Sequence, residues 1–251
     1  MSRNFEFLYQ VGKAQEMLQT TDVEPTAVPL PDFSTSTPAL EIGGMARDEV
    51  TKLVHRLFLR PGAESPRQVI FTGTELGNGC TWICAHAGEI LASQVNRSVC
   101  VVDCNLGSPS LHLEFKVENH FGLSNSLLEE GPIRQFARQL SRRNLWLVSC
   151  GASDENARDL LTSDRMRMRM SELRAEFDYV LMDVAPFNVR NHCTVLGGFA
   201  DGVVLVLKAN STRRDSTWEI TQQLQASNVR VLGAVLNQRT FPIPERIYRH
   251  L

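Results

Sequence analysis

Lysine is scarce in this chain. Of the 26 basic residues in 251, only Lys13, Lys52, Lys116 and Lys208 are lysines. Tyrosine is scarcer still, with three residues: Tyr9, Tyr179 and Tyr248. The formal net charge is -2, which gives no basic surface for nucleic acid and no acidic tail. No apolar run approaches the roughly 18 residues that cross a bilayer, so direct membrane insertion is not expected. The N-terminus, Met1-Ser2-Arg3-Asn4-Phe5-Glu6, lacks the apolar core of a secretory signal, and a cytoplasmic location is expected. The six cysteines show no C-x-x-C pairing. That spacing argues against a disulfide framework or a thiolate metal centre, and most of them read as small core residues.

What is present is organised around a tract from Val69 to Val95. Val69-Ile70-Phe71-Thr72 reads as a short buried strand. It leads into Gly73-Thr74-Glu75-Leu76-Gly77-Asn78-Gly79-Cys80-Thr81, and then into a segment apolar at helical spacing, with Ile83, Ala87, Ile90 and Leu91. Strand, glycine-rich loop and helix together form the context of a phosphate-binding loop. The glycines free backbone N–H groups to face an anion, and the helix N-terminus adds partial positive charge. Such a loop requires a lysine directly after Gly79, where this chain has Cys80. Thr81 keeps the hydroxyl position that would hold Mg²⁺.

Before that tract, Asn4–Leu18 reads as an amphipathic helix. Thr20–Gly44, rich in Pro, Thr and Ser, reads as a linker. The expected organisation is an N-terminal helix and linker over 1–44 and a nucleotide-binding-type domain over 45–251. A helix is expected over 47–59, ended by Pro61-Gly62. Strands are expected at 68–72, 98–103, 145–149, 179–183, 203–207 and 230–236. Helices are expected at about 81–95, 122–129, 132–141, 164–176 and 214–226. Continuous apolar strands alternating with helices predict an α/β fold, a doubly wound, mostly parallel sheet covered by helices on both faces. Arg165-Met166-Arg167-Met168-Arg169-Met170 reads as a helix with solvated arginines and buried sulfurs.

Ligands in such folds sit at the carboxyl ends of the strands. Two strands end there in aspartate, Asp103 and Asp183, and the last ends in Asn237. Buried carboxylates must be hydrated, hydrogen-bonded or metal-bound. Beside a phosphate-binding loop, Mg²⁺ held by Thr81, Asp103, Asp183 and nucleotide phosphates explains both. A strand-end aspartate that only caps the following turn is the competing explanation for each. An amide at Asn237 has the paired donor and acceptor that can read a nucleobase edge.

These residues resemble a known family. From about Asp48 to Leu236 the chain is similar to the cytoplasmic kinase domain of bacterial tyrosine autokinases of polysaccharide synthesis and export. Those are deviant-Walker P-loop proteins akin to the MinD/ParA ATPases. Val102-Asp103-Cys104-Asn105-Leu106-Gly107-Ser108-Pro109-Ser110-Leu111-His112 resembles the family's second Walker A-type motif, Asp-x-Asp-x-Arg followed by Pro-x-Leu-His. Phe121-Gly122-Leu123-Ser124 resembles its Gly-Leu-Ser helix start, and Phe177–Pro186 its Walker B strand. Ala200–Val206 and Leu232–Asn237 resemble its late strands. Glu49, Lys52 and His55 have the spacing of its Glu-x-x-Arg-x-x-Arg oligomerisation helix. The resemblance implies ATP or ADP with Mg²⁺, contacted by Thr74, Gly77, Asn78, Gly79, Cys80, Thr81, Trp82 and Asn237, with Asp103 and Asp183 as catalytic carboxylates.

The chain departs from that pattern at Cys80, at Asn105 in place of the second aspartate, and at Gly107 in place of the arginine. The C-terminal tyrosine cluster, the family's autophosphorylation target, is reduced to Tyr248. A charge-assisted contact to phosphate contributes about 1.5–3 kcal/mol. Losing a preorganised donor costs about 10²–10³ in rate by analogy with oxyanion holes. The expected function is therefore a degenerate kinase-like scaffold or regulator of exopolysaccharide or capsule export, binding Mg-nucleotide weakly. Its expected partner is the cytoplasmic tail of a membrane chain-length regulator (co-polymerase) or an intact kinase paralogue, which would hold it at the inner membrane. Self-association through helix 47–59 is also implied. An active tyrosine autokinase with charge supplied by a partner, and a MinD/ParA-like positioning ATPase, are the alternatives. A reactive Cys80 thiol, favoured by its place at a helix N-terminus, competes with a small residue filling a vacated lysine position.

Overall fold

The computed structural model describes residues 40, 42–60, 65–140, 142–152 and 160–239. The expected helix at Asn4–Leu18, almost all of the expected linker, and Tyr248 lie outside the described residues. In chain order the described elements are α1 (Gly44–Phe58), β1 (Gln68–Gly73), α2 (Cys80–Gln94), β2 (Val99–Asp103), α3 (Leu111–Glu114) and α4 (Leu123–Leu128). A 3-10 turn (Ile133–Phe136), β3 (Arg138–Gln139), β4 (Leu145–Val148), α5 (Asp164–Glu176) and β5 (Tyr179–Val184) follow. The series ends with α6 (His192–Gly197), β6 (Gly202–Lys208), α7 (Arg214–Ala226) and β7 (Val231–Asn237).

The seven strands form one sheet in the order β3-β4-β2-β5-β1-β6-β7. All neighbours pair in parallel except β3, which runs antiparallel to β4. Every residue of β1, β2 and β5 is buried, as expected for strands covered on both faces. One apolar cluster lies under α4, α5, α6 and α7 and includes Ile70, Val102, Met182 and Leu205. The other lies under α1 and α2 and includes Phe71, Val101, Leu181 and Val206. Alternate side chains along each strand thus feed opposite faces. Helix α2 carries small residues inward; a Cβ on Gly88 would strike the Val101 side chain. This close approach seats the middle of α2 against β2.

Several expectations require correction. Leu40 and Ile42 pack on the α1/α2-side cluster, so apolar anchoring begins before the boundary expected at residue 45. Of the helix expected over 132–141, the described residues 132–140 are not α-helical. They form the 3-10 turn and β3, whose Arg138 and Gln139 pair with Leu147 and Trp146. Short α3 and α6 were not anticipated. Strand β7 is an edge, with Gly233, Ala234 and Leu236 exposed. In α5, Met166 and Met170 are buried and Arg167 is exposed as expected, but Arg169 is buried and Met168 is 51% exposed. The Arg169 guanidinium donates to the carbonyls of Ser126, Gly131 and Glu129. It thereby satisfies carbonyls at the end of α4, which has no further helical turn to take them.

Candidate functional site

The loop between β1 and α2 has the shape that its glycines permit. Gly77 and Gly79 have φ of 80° and 76°, the left-handed region that favours glycine. Side chains brace the loop from beneath and from the side. Buried Asn78 donates through Nδ2 to Thr74 Oγ1 at 2.8 Å and to the Val206 carbonyl at 2.9 Å. From the end of β7, Asn237 Nδ2 donates to the Asn78 carbonyl at 2.9 Å. Gln238 Nε2 donates to the Gly77 carbonyl at 2.8 Å. A Cβ on Gly79 would overlap the Asn237 amide. Asn237 therefore holds the shape of the loop, and its amide N–H₂ is engaged there. Gln238 was missed in the sequence, although it adjoins a residue that was singled out.

Helix α2 starts at Cys80 with Thr81 in its first turn. Thr81 Oγ1 donates to Asp183 Oδ2 at 2.6 Å and lies 3.0 Å from Ser110 Oγ. Trp82 stacks on His86, one turn along, with ring centroids 4.1 Å apart, and packs on the α1/α2-side apolar cluster. It makes no described bond to the loop. Ser110 is a further residue missed from the sequence; it lies in the Pro-Ser-Leu-His segment already noted there.

Asp103 and Asp183 are register partners at the tips of β2 and β5, both almost wholly buried. Asp103 accepts backbone N–H groups from Asn105, Ser110 and Leu111, each at 3.1 Å. These bonds wrap the loop after β2 around its carboxylate. Asn105 closes the same turn, its Nδ2 donating to the Ser108 carbonyl at 2.9 Å. An aspartate at 105 could not make that donation. Desolvation raises Asp103 to about 6 against the pull of its three N–H donors. Desolvation and the neighbouring Asp103 charge raise Asp183 to about 7, while bonds from Thr81 and Cys80 pull it down.

Cys80 is buried, and burial followed by the Asp183 charge pushes its thiol well above the ordinary value. The thiol is protonated and bonded to Asp183. Desolvation thus outweighs any lowering by the helix N-terminus, and a nucleophilic or redox Cys80 is not supported. None of the six cysteines forms a disulfide, and all are buried.

Two adjacent carboxylates with raised affinity for protons, next to the Thr81 and Ser110 hydroxyls, form a hard, all-oxygen donor set suited to Mg²⁺. Thr81 and Asp183 are the better placed of the expected ligands, because the Asp103 oxygens already take three N–H bonds. Among the described residues no group of three or more His, Cys, Asp or Glu could hold a metal alone. A cation here would complete its shell with water or phosphate oxygens.

On the outer face of α1, Lys52 pairs with Glu49 at 2.7 Å. Both are exposed, as is His55, while Val50, Val54 and Phe58 face the core. The spacing expected for self-association therefore lies on a solvent face.

No family model matches the chain. It is 28% identical over 171 residues to the tyrosine-protein kinase YwqD of Bacillus subtilis, covering 68% of this chain and 72% of that protein. It is 23% identical over 172 residues to the putative tyrosine-protein kinase CapB of Staphylococcus aureus, covering 68% and 75%. In longer relatives such as tyrosine-protein kinase Wzc of Salmonella typhimurium, the match covers 23% of the relative. Among solved structures, the chimerical protein CapA2B2 superposes with a TM-score of 0.72 at 20% identity, over 79% of this chain and 87% of that one. The septum site-determining protein MinD of Pyrococcus horikoshii, complexed with Mg-ADP, superposes with a TM-score of 0.58 at 18% identity, over 73% and 76%. With the loop, the paired aspartates and the strand order in place, the chain has a P-loop-type α/β fold and is similar to the bacterial tyrosine-protein kinases.

Proposed function

We propose that this domain has lost most of its phosphotransfer capacity, keeps weak Mg-nucleotide binding, and serves as a scaffold or regulator in bacterial exopolysaccharide or capsule synthesis and export. The observation that carries this reading is Cys80. At the position where a phosphate-binding loop presents its cation, the chain holds a buried, neutral thiol bonded to Asp183. Phosphoryl transfer depends on positioning and on stabilising the charge that develops on the transferred group. The loop, Thr81 and the aspartate pair supply positioning and a place for Mg²⁺. They do not replace the missing positive charge.

Under this reading the nucleotide phosphates lie along Gly73–Thr81, and Thr81 and Asp183 hold Mg²⁺, which supplies charge neutralisation. Asp103 holds the loop after β2 in place. The partner is the cytoplasmic tail of a membrane chain-length regulator or an intact kinase, and the exposed face of α1 is the surface for self-association. The name CapA2B2 describes a chimera, and such a fused pairing is consistent with partnering of this kind.

Transfer of the γ-phosphate from radiolabelled ATP, to the chain itself and to an added partner tail, tests the proposal. The expected rate is at least about 100-fold below that of YwqD under the same conditions. A rate within a few-fold of YwqD would establish the active-kinase reading instead.

A further inference from the structure

One cation stands at the rim of this site, and it comes from neither the loop nor α2. After Asp183 the chain turns back over the strand tips. Phe187 N–H donates to the Gly73 carbonyl at 2.9 Å, tying this loop to the first residue of the phosphate-binding loop. Arg190 N–H then donates to the Pro186 carbonyl at 3.2 Å, closing a turn that presents the Arg190 side chain. On the other side of the aspartate pair, Arg190 Nε lies 3.9 Å from where a Cβ on Gly107 would stand. The segment thus bridges from Gly73, at one edge of the site, to Gly107, at the other.

Arg190 is exposed. Its guanidinium joins no ion pair or side-chain hydrogen bond among the described residues, and its charge is felt by His192, which it helps to hold low after burial. An arginine fork without a partner among the described residues, next to the loop whose N–H groups hold Asp103, is suited to an anion. The other candidate cation, Lys208, ends β6 beside Asn237, on the flank of the loop away from Gly107.

We propose that Arg190 is the phosphate-binding cation of this site, reaching from the loop after β5 across Gly107 to the terminal phosphate of a nucleoside triphosphate cradled by Gly73–Thr81. This rests on the nucleotide-binding part of the proposed function and explains how binding survives without a lysine at 80. Because the contact is to the terminal phosphate, it favours the triphosphate over the diphosphate.

The test is calorimetric binding of Mg-ATP and Mg-ADP to the full chain and to Arg190→Ala, Arg190→Lys and Lys208→Ala. Arg190→Ala is expected to weaken Mg-ATP by about 10–100-fold, the range of a charge-assisted contact, and to leave Mg-ADP within about twofold. Arg190→Lys should retain part of the affinity, since it keeps the charge and loses the fork. Equal affinities for Arg190→Ala and the unmodified chain would overturn the assignment and leave the nucleotide reading standing. Equal loss of ATP and ADP, or loss of the ATP preference in Lys208→Ala alone, would also overturn it. An unmodified chain that binds neither nucleotide would overturn both the assignment and the reading beneath it.

Discussion

The residue that most determines what this domain can do is Asp183. It stands between Thr81, Cys80 and Asp103 and is almost wholly buried. A carboxylate whose folded-state pKa is raised binds a proton more tightly folded than unfolded. Its stabilising share is complete below the unfolded value near 3.8 and is lost as pH rises through about 6 to 7. In chelator, the melting temperature should therefore fall between pH 5 and pH 8. Mg²⁺ with nucleotide should flatten that fall by neutralising the pair. Asp183→Asn removes the charge while keeping an acceptor for Thr81. It should stabilise the chelated protein by about 1–3 kcal/mol at pH 8 and by much less at pH 5. Thermal unfolding at the two pH values checks this; a substitution equally neutral at both would mean that the pair bears no desolvation strain.

At the scale of elements, α4 and α5 form a unit held by one buried side chain. Arg169 reaches from α5 to three carbonyls around the end of α4, and pairs with Glu172 at 2.6 Å. Replacing it with leucine would leave the Ser126 and Gly131 carbonyls without this donor in a dry setting, while the Glu129 carbonyl keeps its bond from Arg165. Arg169→Leu is expected to cost about 2–4 kcal/mol, measured by denaturant unfolding, against near-neutrality for Arg167→Leu on the exposed face. A loss below about 0.5 kcal/mol for Arg169→Leu would show that water takes over the capping. The helix itself was legible from its Met and Leu spacing, but the inward arginine was not. Its reason to be inside lies on α4, some 40 positions earlier, and no local pattern records that pairing. Residues 132–141 mislead for a similar reason. Ile133 and Phe136 are spaced like one face of a helix, yet the segment after Phe136 is drawn into an edge strand by β4. A tertiary pairing overrides the local period.

For the molecule as a whole, the alternation of apolar strands with helices was enough to read a parallel sheet covered on both faces. Six of the strand positions in the sequence fall within a residue or so of those in the structure. The same reading placed Thr81, Asp103, Asp183 and Asn237 at strand or helix ends, and the fold brings all four to one rim. What the sequence did not disclose is how they are used. Asn237 turns its amide to the loop backbone, Asp103 is occupied by N–H donors, and Arg190 and Gln238 arrive from loops with no motif of their own. Such contacts depend on where loops cross, which the strand order fixes and local sequence does not.

At this scale the proposed function rests on one substitution: where a phosphate-binding loop carries its lysine, the chain has the neutral Cys80 thiol. The affinity of the full chain for Mg-ATP, compared with that of Cys80→Lys under the same conditions, tests this most directly. The account predicts weak binding by the unmodified chain and a gain of about 10–100-fold for the lysine variant, the scale of one charge-assisted phosphate contact. Equal affinities, with both proteins folded to the same melting temperature, would contradict it.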